Sequence, residues 1–179
     1  MTRFIERTLL YSLITILFCL AAFQLFELAV LYPNWSAQLP YSLVDYRKLM
    51  RIVQPDFIGW CLGGSAWLVA LLYLYAYRNP PHRHGWLWVL FVCLCAELGL
   101  HFFMVLPRAT ALFVAPLSTL SPELVAQYAT DLLYINAGRL TLAVLAAAAS
   151  LRVLSIPPVY VVRRKRGTTS GTALQQVWS

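Results

Sequence analysis

Apolar residues along this chain neither alternate nor recur at a clean helical spacing over most of its length; they run on. Four stretches, Thr8–Leu31, Phe57–Tyr77, Trp86–Leu106 and Leu132–Leu154, are almost uninterrupted. A helix rising ~1.5 Å per residue needs about 20 such residues to cross ~30 Å of hydrocarbon. Each stretch meets that length. The pattern predicts an all-α, membrane-embedded four-helix bundle over residues 1–160, with a basic, flexible tail over 161–179. The first stretch exceeds the apolar core of about 7–15 residues in a cleavable signal, and no Ala-x-Ala-like site follows it, so it counts as a span.

Punctuation between the stretches predicts the connections. Pro33 and Pro40 bracket an expected wet loop in which Tyr32, Trp35 and Tyr41 suit an interfacial belt. Over Tyr41–Val53, Leu43, Tyr46, Leu49, Met50 and Val53 recur at spacings of three and four, with Arg47, Lys48 and Arg51 opposite. That periodicity predicts a short amphipathic helix in the first outer loop, lying on the membrane or lidding the bundle. Pro55 suits the start of the second span. Asn79-Pro80-Pro81 is expected to stop it, Gly85, Trp86 and Trp88 to open the third, and Pro107 to end the third. Ser121-Pro122-Glu123 has the form of an N-cap, a proline at N1 and an acid in the first turn. Pro157-Pro158 closes the fourth span.

Charge adds an orientation. Arg3 and Arg7, Arg78 and Arg83, and Arg163, Arg164, Lys165 and Arg166 all fall on one side of a four-span chain; Arg47, Lys48 and Arg51 fall on the other. The excess predicts cytoplasmic termini, as in a protein of a bacterial inner membrane. The composition, 60% hydrophobic and 12% charged, excludes an ordinary soluble domain, which carries about 25% charged residues. The net charge of +7 is a topology signal with attraction to anionic lipid headgroups, and it does not call for nucleic acid. Cys19, Cys61, Cys93 and Cys95 all lie inside spans without a Cys-x-x-Cys spacing, which suits packing rather than redox chemistry.

A few polar residues inside the spans carry the candidate chemistry. Glu97 and His101 lie one turn apart in the third span, and Arg139 lies in the fourth. Ionisable groups at membrane depth are costly and persist by pairing or by function. Counting ~1.5 Å per residue from the outer ends puts His101 about 9 Å, Glu97 about 15 Å, Asn136 about 8 Å and Arg139 about 12 Å down. Gln24 and Glu27 of the first span reach the same level, as do Trp60, Cys61 and Ser65 of the second. The expectation is a polar pocket in the outer half above an almost purely apolar inner half. Glu97, His101 and Arg139 are its candidate catalytic groups, and Gln24, Glu27, Trp60, Tyr134 and Asn136 its candidate ligand-binding groups. Phe23, Phe26, Phe102 and Phe103 would supply apolar walls. Glu97, His101 and Glu27 could approach a metal, but Arg139 would repel it, and a single intramembrane histidine does not suit a haem. No metal or cofactor is expected.

The outer loop ending Met50-Arg51-Ile52-Val53-Gln54-Pro55-Asp56-Phe57, the third span ending Val105-Leu106-Pro107 and the fourth opening Tyr134-Ile135-Asn136-Ala137-Gly138-Arg139 form a recognisable order. In it the chain resembles the anthrone-oxygenase-like family of four-span membrane proteins. Asn136 and Arg139 match that family's fourth-span pattern and Pro107 its third-span exit. Leu132 stands where a tryptophan is usual, and Val105 and Ala109 where asparagines flank the proline. The resemblance implies a four-helix bundle and a cofactor-independent oxygenase; Glu97 and His101 lie outside that family's pattern, and in an oxygenase of its type His101 or Glu97 would remove a proton and Arg139 stabilise the oxyanion. Three functions follow from the residues: a pocket for a hydrophobic or aromatic small molecule entering from the bilayer, an accessory subunit of a larger membrane complex, or a proton or solute conduit. The expected partners are membrane lipid, that small molecule, and either membrane-protein neighbours or a second copy. The conduit is the weakest, because the inner half offers no ionisable relay.

Overall fold

The computed structural model describes residues 2–52, 55–76 and 81–156. Val53, Gln54, Arg78, Asn79, Pro80, the Pro157-Pro158 pair and the basic tail lie outside them. Among the described residues there is no strand. Four helices are long and apolar enough to cross a membrane: Phe4–Ser36, Ile58–Tyr75, Arg83–Val114 and Pro122–Ser155. In element order these are α1 (Thr2–Phe26) and its continuation α2 (Tyr32–Ser36), α3 (Tyr41–Ile52), α4 (Pro55–Ala76), α5 (Pro81–Leu100) with α6 (Leu106–Ala109), and α7 (Pro122–Ser155).

Two prolines that the sequence assigns to loop and helix end do neither. The first helix runs through Pro33 to Ser36, and the third runs through Pro107 to Val114. Proline has no N–H and its ring crowds the carbonyl four residues back, so an interior proline should break a helix. Here a π-helical turn precedes each one. Glu27–Leu31 leads to Pro33 and His101–Val105 leads to Pro107, in the same register. The N–H of Tyr32 reaches back to the Glu27 carbonyl, and that of Leu106 to the His101 carbonyl. The wider turn moves carbonyls out of the ring's way, and the helix continues.

The long helices pack as an open row. α1 lies against α4 and α7, and α7 lies against α5. One core, containing Leu13, Leu17, Tyr73, Leu90, Ala146 and Val153, fills the half of the bundle nearest Glu6. Ala143, Ala146, Ala147, Ala149 and Ser150 make the buried face of α7 small, which lets its neighbours approach closely. A second core, of Trp35, Leu43, Val105, Leu112, Val125 and Leu132, lies beyond the two prolines. Trp35 is therefore interior and not part of an interfacial belt. The Ser121 hydroxyl caps α7 by accepting from the Leu124 N–H at 3.2 Å.

Helix α3 completes this second core. Leu43 is fully buried on it, while Leu49 is exposed. Arg47 leaves the expected polar face: its Nε donates to the Leu112 carbonyl at 2.7 Å, and its Nη2 donates to the same carbonyl. The guanidinium thus takes up an orphan carbonyl near a helix C-terminus, where positive charge is favoured. Lys48 pairs with Asp45 at the surface.

Outward-facing positions are apolar. Phe18, Leu68, Leu71, Val92 and Leu145 are exposed along the spans, as expected where lipid replaces water. Cys19, Cys61 and Cys95 are exposed there too, and only Cys93 is packed in the core. The apolar half is less pure than its sequence suggests. Arg83, read as a loop residue, is 2% exposed and pairs with the Glu6 carboxylate at 2.6 Å. The same Nη1 donates to the Tyr73 hydroxyl at 3.3 Å, and Nε donates to the Ile156 carbonyl at 3.1 Å.

Candidate functional site

Three helices converge on one carboxylate. Arg139 of α7 donates to Glu97 Oε1 of α5 from Nε at 3.0 Å and from Nη2 at 2.7 Å. Gln24 of α1 donates to the same oxygen through Nε2 at 3.1 Å. Gln24, Glu97 and Arg139 are 1%, 6% and 7% exposed, so the charges sit within the protein rather than in lipid. Asn136, one turn before Arg139, accepts from its Nη1 at 3.1 Å and fixes the guanidinium plane. The sequence spacing explains the Asn136–Arg139 contact, because residues three or four apart on a helix share a face.

The polar cluster is only partly satisfied. All three bonds to Glu97 fall on Oε1, and among the described residues Oε2 accepts none. Gln24 Oε1 is buried without a partner, as are both ring nitrogens of His101. Arg139 spends three of its guanidinium N–H groups on Glu97 and Asn136, and a guanidinium carries about five. Buried polar atoms are nearly always paired, so a group of unpaired ones at one place calls for an explanation.

Two cavities meet at these atoms. A polar one of about 60 Å³ lies under the second core, lined by Gln24, Glu27, Trp35, His101, Asn136 and Arg139 among others. A more apolar one of about 280 Å³ lies between α4 and α5, walled by Trp60, Trp67 and the glycines Gly59, Gly63 and Gly64, with Glu97, His101 and Arg139 at its inner side. His101 and Arg139 border both. Gly59 does too, and a Cβ there would stand 3.2 Å from Cε1 of Phe23, close enough to push that ring aside by a few tenths of an ångström. The π-helical turns that precede the two prolines begin at Glu27 and His101, which line the same polar cavity. Such turns recur at functional sites because they re-aim side chains.

Gln24, Glu27, Trp60, Glu97, His101, Asn136 and Arg139 are thus brought together. Trp60 meets the His101 ring edge-on with centroids 4.5 Å apart and Phe102 at 5.1 Å. Tyr134 is not brought in: it is 71% exposed on the outside of α7 and borders neither cavity. Phe26 and Phe103 also face outward, whereas Phe23 lines the polar cavity and Phe102, though partly exposed, lines the larger one. Trp67 is a site residue that the sequence did not single out. Its position two turns after Trp60, across a Gly63-Gly64 pair, was the available signal. Among the described residues no group of three or more His, Cys, Asp or Glu is placed to hold a metal ion. No family model, no curated protein and no solved structure matches this chain.

Proposed function

We propose that this membrane protein binds a hydrophobic or aromatic small molecule at the Gln24–Glu97–His101–Arg139 cluster, and that His101 acts on it as a proton acceptor. The observation that carries this reading is the His101 ring, which has both nitrogens unpartnered where the two cavities meet. Glu97 is the poorer base, because its charge is already matched by Arg139 and Gln24. In a neutral imidazole one nitrogen accepts and the other donates, so the ring can take a proton from an acidic C–H or O–H of the ligand. The unused N–H groups of Arg139 then face the oxyanion that results. In the oxygenase form implied by the family resemblance, the carbanion reacts directly with dioxygen and no cofactor takes part.

The test is His101→Gln, which keeps a donor and an acceptor at similar reach. Thermal stability in detergent should stay within about 0.5 kcal/mol of the parent, as for a change that breaks no bond. Retention of the co-purified small molecule, or its turnover, should fall at least ten-fold, on the scale of a lost general base. Undiminished retention with lowered stability would return the cluster to scaffolding. The accessory-subunit reading would then stand, with the exposed apolar sides of the spans meeting a larger partner or a second copy.

The orientation belongs to the same reading. Both termini lie in the cytoplasm of a bacterial cell, and α3 lies at the outer face of its inner membrane, above the polar cavity. The distribution of Arg and Lys supports this. A cysteine placed at Tyr41, on an otherwise cysteine-free chain, should react with an impermeant maleimide in intact cells. Reaction only after permeabilisation would invert the topology.

A further inference from the structure

The larger cavity holds one more unsatisfied group, and it lies away from the ion pair. Trp67 Nε1 is buried without a hydrogen-bond partner, and Trp67 walls the crevice between α4 and α5. A buried indole N–H normally finds an acceptor. Its ring is held edge-on against Phe91 of α5 at 5.7 Å, so the N–H is a positioned donor rather than a wandering one. Two turns back along α4, roughly 10 Å away by helical rise, Trp60 rests on His101. Beside His101, Glu97 offers the unused Oε2. The crevice is thus walled at one end by a residue whose indole N–H is unpaired and at the other by a carboxylate and an imidazole, with glycines between them.

The crevice also opens beside the least covered helix of the bundle. Only 17% of the α4 span is buried, against 28–33% for the other three, so α4 is the least covered wall of the bundle. Trp60 and Phe102 on the rim are both exposed. A molecule arriving here comes from the lipid phase, where polar atoms have no water to bond with, and matching them to fixed groups then decides orientation.

We propose that this crevice is the bed of the ligand and that Trp67 anchors it, which selects a rigid, lipid-soluble molecule with a carbonyl oxygen at one end and a hydroxyl at the other. The carbonyl accepts from Trp67 Nε1–H. The hydroxyl meets Glu97 Oε2 and the His101 ring, so the end that bears the exchangeable proton is delivered to the base. This rests on the reading of the cluster as a ligand site, and it adds the bed, the anchor and the ligand's two ends.

Estrone serves as the probe, because its ketone and phenol lie at opposite ends of a rigid skeleton; 17-deoxyestrone is the same skeleton without the ketone. Binding of tritiated estrone is measured on the full chain in lipid nanodiscs, with 17-deoxyestrone as displacer. Estrone should bind saturably and at least ten-fold more tightly than the deoxy compound. Trp67→Phe, which keeps a ring against Phe91, should erase that preference. Gly63→Leu should block both ligands by filling the crevice, and its Cβ meets nothing within 4 Å. Equal affinity for the two compounds, or an estrone preference that survives Trp67→Phe, overturns the anchor. If estrone binding is lost in His101→Gln yet indifferent to Trp67→Phe and Gly63→Leu, the cluster remains a ligand site and the crevice is not its bed. Failure of the parent protein to bind estrone overturns the ligand class, and binding indifferent to all three variants sinks both readings.

Discussion

Among the described residues two buried arginine–glutamate pairs hold this bundle, and they differ in everything except their chemistry. In the Glu6–Arg83 pair the guanidinium makes four donations, to three different partners. It bonds the carboxylate, the Tyr73 hydroxyl and the Ile156 carbonyl, joining α1, α4, α5 and the end of α7. In the Glu97–Arg139 pair one carboxylate oxygen takes three bonds and the other none, and unpaired atoms of Gln24, His101 and Trp67 surround two cavities. An intramembrane ion pair is therefore no sign of a site by itself. The surplus of polar groups over what pairing needs, together with space beside them, separates the site from the clamp.

The largest effects should be common to both pairs. Arg83→Leu and Arg139→Leu each strand a carboxylate in the interior, and each should cost about 3–5 kcal/mol in an unfolding assay in detergent. Removing Glu97 as well, in the double variant Glu97→Leu with Arg139→Leu, should recover part of the loss. Simple addition of the two single effects would mean that the residues are not coupled, and the proposed site would lose its centre. Tyr73→Phe should come next, at about 1 kcal/mol for one lost hydrogen bond to Arg83. It should leave ligand retention unchanged. The near-silent His101→Gln change in stability comes last, paired with the loss of ligand. If Tyr73→Phe lowered ligand retention as much as His101→Gln, the contrast between clamp and site would collapse.

The sequence carried the spans, and with them the convergence of Glu97, His101, Asn136 and Arg139, because unbroken apolar runs and one-turn spacings are local properties. It misled at Pro33 and Pro107. Proline's local effect is to stop a helix, and only the five-residue reach of the preceding turn cancels it. Arg83 read as a loop residue because its partner Glu6 lies 77 positions away, and sequence spacing says nothing about such pairs. Arg47 followed the helical periodicity of α3, yet its partner is a carbonyl on another helix, which no side-chain pattern records. Tyr134 shared the depth of the site but not its face: depth follows from counting, whereas facing needs the rotation of the helix in the bundle.

The matched turns at Glu27–Leu31 and His101–Val105 bear on how this chain tolerates changes in length. A π-helical turn amounts to one residue inserted into an α-helix, and one residue is about 100° of rotation. Deleting Leu28 or Phe102 would restore ordinary α-helical register and swing everything downstream by that angle. The Trp35 core would turn away from the bundle beneath it, while the apolar spans kept their length. Single-residue deletions at these two places should thus be far more damaging than substitutions at the same positions. A compensating insertion within the same helix, before its proline, should restore the register.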